Sequence, residues 1–128
     1  MYELHAWFGL AESAEESDAG GLATALAGLV HVLQRFAPQP QVRWMNGQPY
    51  LSVDSAGNRP GSTAGALDDL LQFLAERLPG SWGLAYERDD ERVEAPGANA
   101  FRVRVLARGS VTERDDPFLS PCRPIIDD

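Results

Sequence analysis

The residue types that usually catalyse reactions are sparse in this chain, and their spacing matches no catalytic motif. The two histidines, His5 and His31, lie among apolar residues, and no G-x-S-x-G nucleophile motif accompanies them. The single cysteine, Cys122, stands in the run SPCRP, where Arg123 is the only adjacent cation that could activate its thiol. Two histidines and one thiol also make a poor zinc set. We therefore expect no catalytic residue, no metal site and no cofactor.

Carboxylates are more abundant and occur in runs, as in Asp89-Asp90-Glu91 and Asp115-Asp116. Adjacent side chains on a strand or turn point in different directions, so such a run does not converge unaided on a metal ion or a substrate. Runs of like charge are typical of solvated faces. An acidic face also raises the rate of encounter with a basic partner.

The charge balance narrows the function classes. The chain has 11 basic residues, all arginine, against 19 acidic ones, which gives a net charge of −8. The absence of lysine excludes Schiff-base chemistry and the lysine-bearing phosphate loop of nucleotide hydrolases. The acidic balance argues against nucleic acid as a partner, because phosphates repel such a surface. The N-terminal run MYELHAWFGL does not resemble a signal peptide, and no apolar run is long enough to span a bilayer, so we expect a cytoplasmic protein.

The elements that must position these residues follow from the apolar spacing. A chain of 128 residues fits one domain, residues 1–128. Apolar periodicity predicts helices over about 18–37 and 64–78, the first with Asp18 as its N-cap and Pro38 as its stop. Strands are predicted at residues 2–10, 42–44, 50–53, 82–87 and 101–107. The turn dipeptide Asn46-Gly47 joins two of them in a hairpin.

This order, β-α-β-β-α-β-β, predicts an α+β two-layer sandwich. We expect an antiparallel or mixed sheet of about five strands with two helices on one face, in a ferredoxin-like arrangement. In the last strand Phe101, Val103 and Val105 alternate with arginines, so we expect the arginine side to face water. Most of the three tryptophans are expected in the core.

One loop leaves an alternative function open. The run SAGNRPGST precedes the second helix, and backbone N–H groups at a helix start can bind an anion. The run lacks the spacing of the usual phosphate loop. It nevertheless favours, as the alternative, a regulatory module of the same two-layer architecture that binds a small molecule.

Four blocks of the sequence carry a family resemblance: MYELHAW (1–7), MNGQPYL (45–51), PGSWGLAYERDDE (79–91) and LARGSVTERDDPFLSPCRPIIDD (106–128). Together they resemble the family-seven immunity proteins of bacterial polymorphic toxin systems. The resemblance implies an inhibitor without enzymatic activity that binds a cognate toxin domain, which could be a nuclease. The acidic charge and the lack of a long apolar run predict no nucleic acid or membrane partner. A strand edge could pair two copies, so both a monomer and a homodimer are open.

We predict two groups of toxin contacts. The first contains two aromatic anchors and an acidic stretch: Trp82, Tyr86, Glu87, Asp89, Asp90, Glu91 and Glu94. The second precedes the first helix: Glu12, Glu15, Glu16 and Asp18. Nine motif residues are expected to hold the fold instead, with a buried Phe118 and rigid prolines tying the C-terminal segment to the sheet. These are Trp7, Gly47, Gly83, Arg108, Gly109, Asp116, Pro117, Phe118 and Pro121.

Overall fold

A computed structural model describes residues 1–12, 19–58, 61–90 and 99–121 of the chain. It contains six strands and two helices. In chain order they are β1 (Tyr2–Gly9), α1 (Ala19–Leu33), β2 (Val42–Met45), β3 (Gln48–Gly57), α2 (Thr63–Arg77), β4 (Trp82–Asp89), β5 (Arg102–Ala107) and β6 (Ser110–Asp115).

The strands form one antiparallel sheet in the order β2-β3-β1-β4-β5-β6. The first four strands and the two helices have the split βαβ order, because β1 lies between β3 and β4 and β2 lies outside β3. The predicted α+β fold class, with an antiparallel sheet and two helices, is confirmed.

The sixth strand was not predicted. Arg108 and Gly109 join β5 to β6 and both have positive φ, 54° and 72°. Two consecutive residues with positive φ form the tight hairpin turn that matches the twist of antiparallel strands. Every residue of β6 is exposed, so the strand carries no buried apolar face from which the sequence pattern could reveal it.

The helix predictions hold with one change of boundary. The buried stripe of α2 is the predicted one, with Leu67, Leu70 and Leu74 inside. Helix α1 ends at Leu33, five positions before Pro38, so this proline does not terminate it. The predicted cap Asp18 lies outside the described residues. Among the described residues, neither helix has the length and apolar character needed to cross a bilayer.

Alternate residues of β1 form the centre of the core. Tyr2, Leu4, Ala6 and Phe8 are buried and pack in one cluster with residues of both helices. From the helices, the buried members of this cluster are Ala25, Leu29, Leu33, Ala66, Leu67, Leu70, Leu71 and Leu74. Both helices therefore cover the same side of the sheet. The opposite side, which carries the odd-numbered residues of β1, is called the open face below.

The prediction that the arginines of β5 face water is wrong. Register places Arg102 opposite Glu87, on the helix side of the sheet. Arg104 lies on the same side and is only 8% exposed, because its guanidinium bonds to Asp68 of α2 and lies 3.6 Å from Glu87. Val103, on the open face, is buried as well. The alternation was read correctly, but the arginines lie on the helix side, where the buried Glu87 and the exposed Asp68 pair with them.

Candidate functional site

The open face is a surface on which three predicted site residues, Trp7, Trp82 and Tyr86, meet. Register places Trp7 of β1 beside Ser52 of β3 and Leu84 of β4, and places Gly9 between Tyr50 and Trp82. Alternation then puts on the same face the residues His5, Asp54, Tyr86 and Arg88. Side chains from three strands, β1, β3 and β4, therefore share one surface.

Three aromatic rings cluster on this face. The Trp7 and Trp82 ring centroids are 5.6 Å apart at 79°, and those of Tyr50 and Trp82 are 6.3 Å apart at 81°. A Cβ atom built on Gly9 would overlap the Trp82 indole, so the missing side chain lets the ring lie against the strand. Edge-to-face packing fixes the rings relative to one another.

The tryptophans are on the surface, contrary to the prediction that most of them lie in the core. Trp7 is 47% exposed, Trp82 40% and Trp44 58%. Trp7 and Trp82 lie on the open face. Trp44 shares the side of Val42, which packs against the core, at the short edge strand β2. Trp7 was expected to serve the fold alone, but nearly half of its surface is available for contact.

A group of paired charges, formed by His5, Asp54, Glu3 and Arg88, lies on the same face as the aromatic rings. The imidazole Nδ1 of His5 lies 2.8 Å from Asp54, and its Nε2 lies 3.0 Å from Glu3. The bonds to Asp54 and Glu3 raise the pKa of His5. The Arg88 Nε atom donates to the second oxygen of Glu3 over 2.9 Å. The pKa of Glu3 is correspondingly lowered, mainly by its bond to His5.

At the far end of the open face, Asp116 organises a tight turn. Its carboxylate accepts backbone N–H bonds from Phe118 and Leu119, at 3.0 and 2.8 Å, and the hydroxyl of Ser120 at 2.9 Å. The Ser120 hydroxyl in turn accepts the N–H of Phe101 at 2.8 Å. Burial alone would raise the pKa of Asp116, but these bonds hold it below its ordinary value. Asp116 is 6% exposed.

The expectation of a buried Phe118 is wrong, since this ring is 82% exposed and Leu119 is also exposed. The polar bonds of Asp116 and Ser120 hold the turn, so an apolar anchor is not required. The turn is joined to β4 through Tyr86, whose ring packs on Phe101 at 5.7 Å. Burial, followed by the charge of Asp116, raises the pKa of the Tyr86 hydroxyl.

The structure removes Glu87 from the accessible acidic surface. Glu87 is 9% exposed and lies on the helix side, where Tyr2 donates its hydroxyl hydrogen over 2.5 Å. Arg104 lies 3.6 Å and Arg102 lies 3.8 Å from the same carboxylate. Burial and the bond to Glu87 raise the pKa of Tyr2. Glu87 therefore stabilises the fold, and it is too buried to belong to the predicted acidic contact surface.

The other predicted acidic contacts divide into described and undescribed positions. Asp89 and Asp90 are half-buried at the end of β4, and the Asp90 carboxylate bonds to the N-terminal amine of Met1. Glu12 is half-buried, and its carbonyl oxygen accepts the N–H of Gly80 at 3.2 Å. The remaining acidic candidates, Glu15, Glu16, Asp18, Glu91 and Glu94, lie outside the described residues.

The other motif residues are turn and close-approach positions. Gly47 follows Asn46 in the β2–β3 turn, with φ values of 77° and 53°, as the dipeptide predicted. A Cβ on Gly83 would overlap the Trp7 carbonyl oxygen and the Phe8 side chain. Pro117, inside the Asp116 turn, and Pro121, directly after it, are both exposed.

The loop that suggested a ligand site is partly strand. Its first residues, Ser55 to Gly57, pair with β1, and the N-cap Ser62 makes no side-chain capping bond. A cavity of about 610 Å³ adjoins the Asp116 turn instead, beside Phe101 and Pro121. Within residues 1–12, 19–58, 61–90 and 99–121, no cluster of three or more histidine, cysteine or carboxylate side chains could hold a metal ion.

Sequence reasoning missed Tyr50, Glu3 and Asp54 as members of this surface. The available signal was in β1, where the consecutive residues Trp7 and Phe8 place a large ring on each side of the strand. Only one of these rings can face the core. Pairing with β3 could not be read from the sequence, so the partners of Trp7 and His5 stayed hidden.

The fold and the open face define a small two-layer α+β protein whose exposed rings are of the type found at protein interfaces. The family comparison is more specific. The model of the family described as Immunity protein 7 matches residues 1–128, and the chain therefore belongs to that family. Neither a curated protein nor a solved structure gives a match. The resemblance seen in the four sequence blocks is confirmed.

Proposed function

We propose that this chain binds and neutralises the cognate toxin domain of a polymorphic or contact-dependent bacterial toxin. It acts as an inhibitor without enzymatic activity, in the cytoplasm of the cell that makes the toxin. Inhibition results from covering the active or substrate-binding surface of the toxin. The observation that carries this proposal is the family match over the whole chain.

The charge of the chain supports a basic toxin. A net charge of −8 attracts a cationic protein over the distance of a Debye length and speeds the first encounter. A toxin that handles nucleic acid needs a cationic surface, and an acidic inhibitor can occupy it. Protection requires tight binding, and a nanomolar Kd corresponds to about −12 kcal/mol.

Rescue and direct binding test this function together. The probe is the toxin domain encoded beside the gene for this chain. The active toxin is used for rescue in cells, and a form with its catalytic residue substituted is used for binding in vitro. We expect co-expression to restore growth and the purified pair to associate with a Kd in the nanomolar range. A catalytically inactive toxin domain from an unrelated system is the specificity control. Absence of both rescue and association refutes the function.

The acidic end of β4 is a steering surface in this proposal. The double variant Asp89→Arg with Asp90→Arg should slow association about tenfold at low salt, because rim charges act mainly on the on-rate. The matched control is Asp69→Arg with Glu76→Arg on the exposed side of α2, which changes the net charge equally. The difference between the two variants should disappear at high salt, where screening is strong. Equal rates for both variants at low salt would exclude the β4 end as a steering surface.

A further inference from the structure

The exposed rings of the open face are placed in a way that the packing of this chain does not require. The helices bury the even-numbered side of β1, and the core cluster lies there. Trp7 and Trp82 lie on the other side, half-exposed and held edge-to-face at 5.6 Å. Tryptophan and tyrosine dominate the binding energy of protein interfaces, because they offer large rigid contacts at a small entropic cost.

We propose that the open face, centred on Trp7, Tyr50 and Trp82, is the surface on which the toxin docks. The toxin presents a basic segment, with arginine or lysine side chains lying over the exposed indoles. This inference rests on the proposed function and specifies which surface performs it.

The net charge of the whole molecule favours a cationic partner at this surface. A cation over the face of a tryptophan ring is attracted by the ring quadrupole, and a net charge of −8 draws cations to the protein. A second copy of this chain would bring the same −8 and would be repelled. The neighbouring group His5, Glu3, Asp54 and Arg88 contains two acids and two bases that pair with one another, so it adds little charge of its own.

The packing around Trp82 also supports a dedicated contact surface. Gly9 faces Trp82 in the ladder, and its missing side chain leaves room for the indole. Tyr50 stands on the other side of Gly9 and packs its ring edge-to-face on the same indole. The cluster is therefore held in place before binding, which reduces the entropy lost on association.

The size of the open face fits a standard interface. The six strands are four to ten residues long, and at about 4.8 Å between strands and about 3.3 Å per residue the sheet spans roughly 600–700 Å² before side-chain relief is added. A stable protein complex uses about 800 Å² on each partner. Val103 of β5 is already buried on this side, so a toxin domain would lie over the part of the face around Trp7, Tyr50 and Trp82.

Hydroxyl-radical footprinting of the unsubstituted chain tests the surface without a folding risk. The probe is the inactive toxin domain encoded beside the gene, at saturating concentration. We expect oxidation of Trp7 and Trp82 to fall at least fivefold in the complex. Trp44, which is more exposed and lies on the helix side of the edge strand β2, should stay reactive. Protection of Trp44 with continued oxidation of Trp7 and Trp82 overturns the inference.

Substitutions give an independent measure. Trp7→Ala and Trp82→Ala should each raise the Kd about 10- to 100-fold, as expected for hot-spot tryptophans. Trp44→Ala is the matched control and should change it less than about threefold. The variant Trp7→Leu keeps an apolar side chain but removes the ring. If it binds like the unsubstituted chain, the cation-on-indole contact is wrong.

The failures are distinguishable. If the unsubstituted chain neither binds nor rescues, the proposed function fails and this inference fails with it. If it binds and rescues while Trp7→Ala and Trp82→Ala match Trp44→Ala, only the open face is excluded and the immunity function stands. Thermal unfolding of each variant shows whether a weakened complex reflects a lost contact or a lost fold.

Discussion

Replacing Glu87 with glutamine should weaken the fold far more than the same change at Glu113. Both carboxylates pair with Arg102, at 3.8 Å for Glu87 and 3.1 Å for Glu113. They differ in burial, because the Glu87 side chain is 10% exposed and that of Glu113 is 58% exposed. The comparison therefore sets a buried carboxylate, which also contacts Tyr2 and Arg104, against an exposed carboxylate that shares Arg102.

The expected magnitude follows from what glutamine keeps and what it loses. Glutamine preserves the volume and an oxygen that can accept the Tyr2 hydroxyl, so the change removes mainly the negative charge. Arg104, itself nearly buried, then keeps only Asp68 as a carboxylate partner among the described contacts. Breaking a buried pair typically costs 3–5 kcal/mol, and the 3.6 Å separation here lowers our expectation to about 2 kcal/mol.

Thermal and urea unfolding, followed by circular dichroism, measure both variants. Unfolding entropies near 2.1 cal/mol/K per residue convert about 2 kcal/mol into a Tm loss of roughly 7 °C for a chain of this length. The variant Glu113→Gln should lose less than about 0.5 kcal/mol, as exposed pairs do. Equal losses for the two variants, or a loss below about 0.5 kcal/mol for Glu87→Gln, would refute the assignment of Glu87 to an internal network.

Three further predictions concern the open face and its turn. Phe118→Ser should change the free energy of unfolding by less than about 0.5 kcal/mol, whereas a buried phenylalanine would lose about 3 kcal/mol; urea unfolding decides. Asp116→Asn should destabilise by about 1–2 kcal/mol near neutral pH. The folded pKa of Asp116 is lowered, so its carboxylate stabilises the fold at pH values above its ordinary pKa, and this stability is lost as acid protonates it. The difference in unfolding free energy between the unsubstituted chain and Asp116→Asn should therefore vanish at low pH. A difference that does not change with pH would contradict this reasoning. The raised pKa of His5 gives the opposite dependence on pH. Its ion pairs, worth less than about 1 kcal/mol at an exposed site, stabilise the fold below the ordinary pKa of histidine, and this stability is lost as the pH rises through the raised pKa. The stability difference between the unsubstituted chain and His5→Gln should therefore shrink from pH 6 to pH 9, and a constant difference would contradict the pairing with Asp54 and Glu3.

Several features were readable from the sequence because they depend on local geometry. The apolar stripe of α2 repeats at helical spacing, and the Asn46-Gly47 dipeptide tolerates positive φ, so both appear where the sequence predicted them. The order of elements then limited the layers, since two amphipathic helices need one sheet face to cover. The family resemblance likewise rests on residues in the sequence alone.

Other features depend on which strands become neighbours, and no local pattern contains that information. Glu87 and the arginines of β5 looked solvent-facing until strand pairing placed them on the helix side of the sheet, where each charge finds an opposite one. Phe118 was expected to anchor the C-terminal segment by burial, but hydrogen bonds to Asp116 hold this turn instead. Trp7, Tyr50 and Trp82 come from three strands, so only their antiparallel register could join them into one exposed cluster. The sequence determined the elements and the family, and the tertiary structure decided which side chains are left to meet a partner.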